Sequence, residues 1–146
     1  MMYLLDTCVI SETRAKKPNP AVMEWLSKQD PNTLFMSTIS VGEIKNGICL
    51  LGETKKAREL SKWLDELVAS FGSRVLPVNT TVAECWGATL AACSRAGTPR
   101  PAVDALIAAT AKVDNLVLVT RNVRDMQGLG VKLLNPFSAS RATASR

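Results

Sequence analysis

Three acidic residues stand in this chain where an acid needs a reason. Asp6 closes the apolar run that begins at Met2, Glu43 lies in Ser40-Val-Gly-Glu43-Ile44, and Asp104 lies in Pro101-Ala-Val-Asp104-Ala-Leu-Ile. A carboxylate at the end of an apolar strand costs energy unless something pairs with it. Carboxylates gathered together repel one another, and a hard cation with oxygen ligands is the natural way to neutralise them. Such an ion lowers the pKa of a water and stabilises charge on a phosphate. None of this requires histidine, and the chain has none. That absence removes Ser-His-Asp and Cys-His nucleophiles, His-relay RNA cleavage and almost every zinc enzyme.

Each acid also has a plainer reading. Ser40 and Glu43 have the spacing of a capping box, in which serine opens a helix and the acid reaches back to it. Asp104 falls in a first helical turn, where the helix dipole favours any acid by about 0.3–1 kcal/mol. Asp6 has no comparable alternative. Thr7 and Thr120 either bond locally to backbone or position a carboxylate. Arg14, Lys16 and Lys17 follow Asp6, and Arg100 precedes Asp104, so basic groups flank the acids. Together with Arg121 and Arg124 they suit a phosphate backbone, although a charge run is usually a solvated face. Trp25, Trp63 and Trp86 sit at helical positions and read as core or interface.

The elements that must position these groups alternate along the chain. Met2–Leu5, Leu34–Ser37, Arg74–Val78, Leu116–Val119 and Val131–Leu134 are short apolar runs of the buried-strand kind. Between them, helical spacing covers Ala21–Lys28, a segment opening at Ser40, Thr54–Phe71, Thr81–Ala96 and Pro101–Val113. Asn122–Met126 is a short turn or helix, and Glu12–Asn19 is polar and basic. This alternation predicts an α/β protein with helices on both faces of a parallel sheet of about five strands. Ligands of such sheets bind beyond the carboxyl ends of the strands. Asp6 falls at one such end and Thr120–Asn122 just past another.

Composition places this in one ordinary globular domain. The chain has 146 residues, 47% hydrophobic and 21% charged. No apolar run approaches the roughly 18–20 residues of a membrane span. MMYLLDTCVI lacks the basic region of a signal peptide, so a cytoplasmic protein is expected. Cys8, Cys49, Cys85 and Cys93 show no metal-ligand spacing and read as buried core cysteines. The net charge of +5 points mildly to a polyanionic partner. Residues 1–137 form the domain, and 138–146 read as a flexible basic tail.

Leu4-Leu-Asp6-Thr-Cys-Val-Ile, Ser40-Val-Gly-Glu43-Ile, Pro101-Ala-Val-Asp104-Ala-Leu-Ile-Ala-Ala-Thr-Ala and Val117-Leu-Val-Thr-Arg-Asn122-Val-Arg-Asp125 stand in order within one small domain. Together they resemble the PIN-domain nucleases, in particular the toxins of bacterial toxin–antitoxin pairs of the VapBC and FitAB kind. The resemblance runs from Met1 to about Phe137. It implies a compact α/β/α sandwich and an acidic pocket holding Mg²⁺ or Mn²⁺. It further implies cleavage of RNA, often tRNA or rRNA, inhibition by a small antitoxin, homodimerisation, and DNA contact only through the antitoxin. By motif match Asp6, Glu43 and Asp104 take the metal positions, with Thr7 and Thr120 in support. The fourth acidic position is divided. The family often has Asp directly after Thr-Arg, whereas this chain has Asn122 there and Asp125 three residues on. Cys8 is a second departure, at a position where many members have Asn or Ser.

Other functions fit less well. Haloacid-dehalogenase phosphatases need a second Asp two residues after the first, where this chain has Cys8. A receiver domain wants an acidic pair near the N-terminus, and no glycine-rich loop follows the first strand. The rival from another class is a non-catalytic PIN-like module that binds RNA or protein, which Asn122 keeps open. The apolar helical surface at Ile48–Leu51 and around Trp63 suits self-association or an antitoxin helix.

Overall fold

The computed structural model describes residues 1–138 and, as backbone, the pair 144–145. Five parallel strands form the sheet: β1 Tyr3–Leu5, β2 Leu34–Ser37, β3 Val75–Leu76, β4 Val117–Val119 and β5 Leu133–Leu134. Their order is β3-β2-β1-β4-β5, and a two-residue β6, Ala144–Ser145, lies antiparallel beside β5. Helices α1 Thr7–Glu12 and α2 Pro20–Ser27 join β1 to β2, while α3 Thr38–Leu50 and α4 Lys55–Phe71 join β2 to β3. Helices α5 Thr80–Arg95 and α6 Ala102–Val113 lead back to β4, and α7 Val123–Met126 follows it.

The two-residue period of the strands divides the core between the faces. Leu4, Leu118 and Leu133 pack with Ile107, Met126 and Leu129 on one side. Leu5, Val117 and Val119 pack with Val9, Ile10, Val22 and Met36 on the other. All three residues of β4 are buried, as expected of a strand covered on both faces. The expected α/β/α sandwich with its parallel sheet is therefore what the chain forms.

The strand order reverses between β1 and β4, because the chain moves outward from β1 to β3 and then returns to β1's other edge. Such a switch point leaves a crevice at the carboxyl ends of the strands. Asp6 and Thr120 sit on either side of it, each fixed by a ladder bond: Asp6 N donates to Val119 O at 2.9 Å and Thr120 N to Leu134 O at 2.9 Å.

Four expectations need correction. The stretch after Asp6 is helix α1, whose six residues are too few to show a helical period. Helix α3 starts at Thr38, with Ser37 as its N-cap accepting from Ile39 N at 3.0 Å. Ser40 and Glu43 are therefore no capping box, and Glu43 lies in the second turn. The third strand spans only Val75–Leu76. Of the four cysteines, Cys93 alone is buried, and Cys49 is exposed. The tail expected from residue 138 onward falls almost wholly outside the described residues. Among the described residues, no helix is long and apolar enough to cross a membrane.

Candidate active site

Asp6 is the N-cap of α1, and its extended backbone (φ −68°, ψ 158°) carries the chain from strand into helix. The side chain is buried at 5% exposure, yet neither oxygen is left without a donor. Oδ1 accepts from Thr7 N at 2.8 Å and Oδ2 from the Thr120 hydroxyl at 2.7 Å. Thr120 is itself fully buried, and its oxygen accepts from Asn122 N at 3.0 Å. The strand-end threonine thus orients the carboxylate and holds the start of the next loop.

Thr7 links Asp6 to Glu43. Its hydroxyl oxygen lies 2.5 Å from Glu43 Oε1 and 2.8 Å from Ser40 Oγ. A carboxylate only accepts, so the single Thr7 proton goes to Glu43. The hydroxyl of Ser40, fully buried, then supplies its own proton to Thr7. A threonine of α1, backed by a buried serine of α3, therefore fixes the exposed carboxylate of Glu43. Ser40, expected as a cap, instead lies on the buried side of α3, and a polar residue in line with Ile44 and Ile48 is the sequence signal for this role.

Asp104 stands three residues into α6, whose N-cap Pro101 makes no side-chain bond. Its carboxyl is pushed above the ordinary 3.8, first by burial and then by the negative charges of Asp6, Asp125 and Glu43, with Arg100 opposing. Four acids from four distant segments consequently share one field. Arg100 also donates from Nη1 to the carbonyl of Asp125 at 3.2 Å, tying the entrance of α6 to α7. Its Nε is buried and without a hydrogen-bond partner. A side chain at Gly128 would meet the same guanidinium at 3.2 Å, so glycine there leaves Arg100 its place.

The divided fourth position falls on two exposed residues with different surroundings. Asp125 bears electrostatically on Asp104. Asn122 precedes α7, and its side chain makes no capping bond. Cys8 Sγ lies 3.8 Å from Asp6 Oδ2 and accepts from Arg121 N at 3.5 Å. Burial first, then the charge of Asp6, raises its thiol above the ordinary 9.0. A thiol held protonated is a poor nucleophile, and Cys8 packs against the core beneath Asp6 as a small apolar group.

The basic residues separate. Arg121 stacks 4.0 Å over the Phe137 ring and lies 3.8 Å from Glu12 Oε2, which occupies it structurally. Arg14 and Arg124 are exposed, and Arg100 is half-buried beside the acids. Trp25 packs edge-on against Tyr3, and Trp86 donates from Nε1 to Ala102 O at 2.9 Å. Both have the structural roles expected of them.

The donor set suits a hard divalent ion, since Asp6, Glu43 and Asp104 offer carboxylate oxygens, and either candidate for the fourth position, Asp125 or Asn122, offers oxygen as well. Among the described residues, no three of these side chains close on an ion by themselves.

Comparison with known proteins gives a consistent picture. The model of the PIN domain matches residues 3–128. The plasmid stability protein StbB of Pseudomonas syringae pv. tomato is 35% identical over 94% of this chain and all of its own length. The toxin FitB of Neisseria gonorrhoeae is 34% identical over 93% of this chain and 99% of its own. The VapC ribonuclease Y4jK of Sinorhizobium fredii is 29% identical, covering 93% and 98%. Among solved structures, FitAB bound to an IR36 DNA fragment superposes with a TM-score of 0.87 at 32% identity, covering 94% of this chain and 96% of that one.

Proposed function

Because this chain belongs to the PIN-domain family, we propose that it is the ribonuclease toxin of a toxin–antitoxin pair, hydrolysing RNA phosphodiester bonds at Asp6, Glu43, Asp104 and Asp125. The observation that carries this reading is the buried Asp6 carboxylate at the switch point of the sheet, held by Thr120 and joined through Thr7 to Glu43; the charges of Asp6, Asp125 and Glu43 also push Asp104 up, after burial. Negative charge around Asp104 is a cost to the metal-free fold, and a divalent ion would relieve it. Asp6, Glu43 and Asp104 would hold Mg²⁺ or Mn²⁺, with Asp125 favoured over Asn122 for the fourth position. The ion supplies charge stabilisation to the phosphodiester and acidity to water.

The chain's own groups do the rest. Thr120 and Thr7 N hold the Asp6 carboxylate in place, one donor to each oxygen. Thr7 and Ser40 fix Glu43, which is then placed to orient an attacking water. Arg100, whose charge bears on Asp104, would be the cation for a substrate phosphate.

The partners follow from the relatives. A toxin of the FitB and VapC kind is held by a small antitoxin and meets DNA through it, as a FitAB complex on DNA suggests. We place the PIN unit at 1–137, with 138–146 as a basic appendage, in a cytoplasmic, dimeric protein whose substrate is tRNA or rRNA. A non-catalytic binding module would have no use for four acids facing a polyanion. The reading is tested by incubating the antitoxin-free protein with RNA in Mg²⁺ or Mn²⁺ and assaying cleavage.

A further inference from the structure

A cleft of about 320 Å³ shares Thr7 and Glu43 with the site, Glu43 being the one of its carboxylates on the lining. It runs between α1, α3 and α4 and is floored by Ile44, Ile48 and Leu60. The half-buried indole of Trp63 forms its wall. Arg14 and Lys56, both exposed, stand on its rim, and neither joins an ion pair among the described residues. Gly47 lies on the lining within α3, and a Cβ there would meet nothing within 4 Å. An aliphatic floor, one aromatic face and two unpaired cations are the parts of a site for a single unstacked base with its flanking phosphates.

We infer that this cleft is a nucleobase subsite, taking the nucleotide next to the scissile phosphate of a single-stranded RNA. The inference rests on the nuclease reading above and adds where specificity is read. Charge favours this occupant: a phosphodiester at the acids is followed along the strand by phosphates within reach of Arg14 and Lys56. The base, lying between those phosphates, faces Trp63. Glu43 is the one acid on the lining, and it belongs to the catalytic end.

The test uses a cleft-filling variant. Gly47→Leu sits mid-helix, improves helix propensity and enters open space, so folding is preserved. Binding of a short mixed-sequence single-stranded RNA is measured in EDTA, beside the same strand made abasic, and cleavage is measured with Mn²⁺. Gly47→Leu is expected to weaken binding of the normal strand on the order of tenfold, the range of one lost base stack. It should leave the abasic strand unaffected and raise KM more than it lowers kcat. Arg14→Ala and Lys56→Ala should weaken both strands and flatten the salt dependence. If Gly47→Leu binds and cleaves RNA like the wild type, the subsite is refuted while the nuclease reading stands. Loss of antitoxin binding with RNA binding intact would make the cleft a protein-docking groove and equally overturn the inference. A wild type that cleaves nothing would sink the nuclease reading, and the subsite with it.

Discussion

The Thr120 hydroxyl donates to Asp6 Oδ2 across 2.7 Å, joining the ends of two neighbouring parallel strands whose residues are 114 positions apart in the chain. This bond is buried on both sides, and the same threonine oxygen receives the amide of Asn122. One hydroxyl therefore sets the orientation of the strand-end acid and the path of the loop leading to Asp125.

Thr120→Val keeps the shape and removes both bonds. Leaving a buried carboxylate oxygen without its donor costs about 1–3 kcal/mol. Urea unfolding should show that loss with an unchanged slope, and Mn²⁺ affinity should fall with it. Wild-type stability and affinity would remove the importance assigned to this contact.

Thr7→Val releases Glu43 from α1 while Asp6 keeps its backbone donor from residue 7. Partners of metal-holding carboxylates are typically worth 10–100-fold in affinity or activity. A decrease of that order in cleavage is expected at unchanged RNA affinity, and Thr7→Ser should restore most of it.

Asp104 is raised by burial and by the other acids, so its charge weakens the metal-free fold. The folded state holds this proton to higher pH than the unfolded chain does. Stability is therefore lost as pH rises from the unfolded value through the folded one, and it stays lost above. Asp104→Asn is expected to raise the melting temperature in EDTA at neutral pH. The gain should vanish below the ordinary carboxylate value of 3.8. Mg²⁺ should stabilise the wild type, by roughly 2–4 °C per kcal/mol of binding linkage, and not the variant. An Asp104→Asn protein that melts lower than wild type in EDTA would contradict the crowding of charge.

The fourth position separates by mutation. Asp125→Ala should lower the cleavage rate by at least tenfold, in the range of lost metal partners, and Asn122→Ala by much less. The reverse order would move the fourth ligand to Asn122.

How much of this was legible in the sequence depends on which residues are considered. Asp6 stands out because an acid closing an apolar run is a local anomaly, whereas Glu43 and Asp104 have ordinary helical readings alone and are singled out by the resemblance of their motifs. The sheet followed from the alternation of short apolar runs with helical periods. What remained hidden was tertiary. Ser40 and Glu43 satisfy a local capping pattern so well that only the start of α3 at Thr38 reveals their bond to Thr7. Arg121, in the middle of a functional motif, is occupied by Phe137 and Glu12 from opposite ends of the chain. Helix α1 is too short for any periodic signal, and Asp6 as its cap determines it more than its own residues do.

The central claim is that these carboxylates cut RNA with a divalent ion. The most direct measurement incubates purified, antitoxin-free protein with tRNA and total RNA in Mg²⁺ or Mn²⁺, beside EDTA and a folded Asp6→Asn variant. Cleavage that requires the ion and disappears in Asp6→Asn is the predicted result. Intact RNA under every metal condition, or equal cleavage by Asp6→Asn, would contradict it.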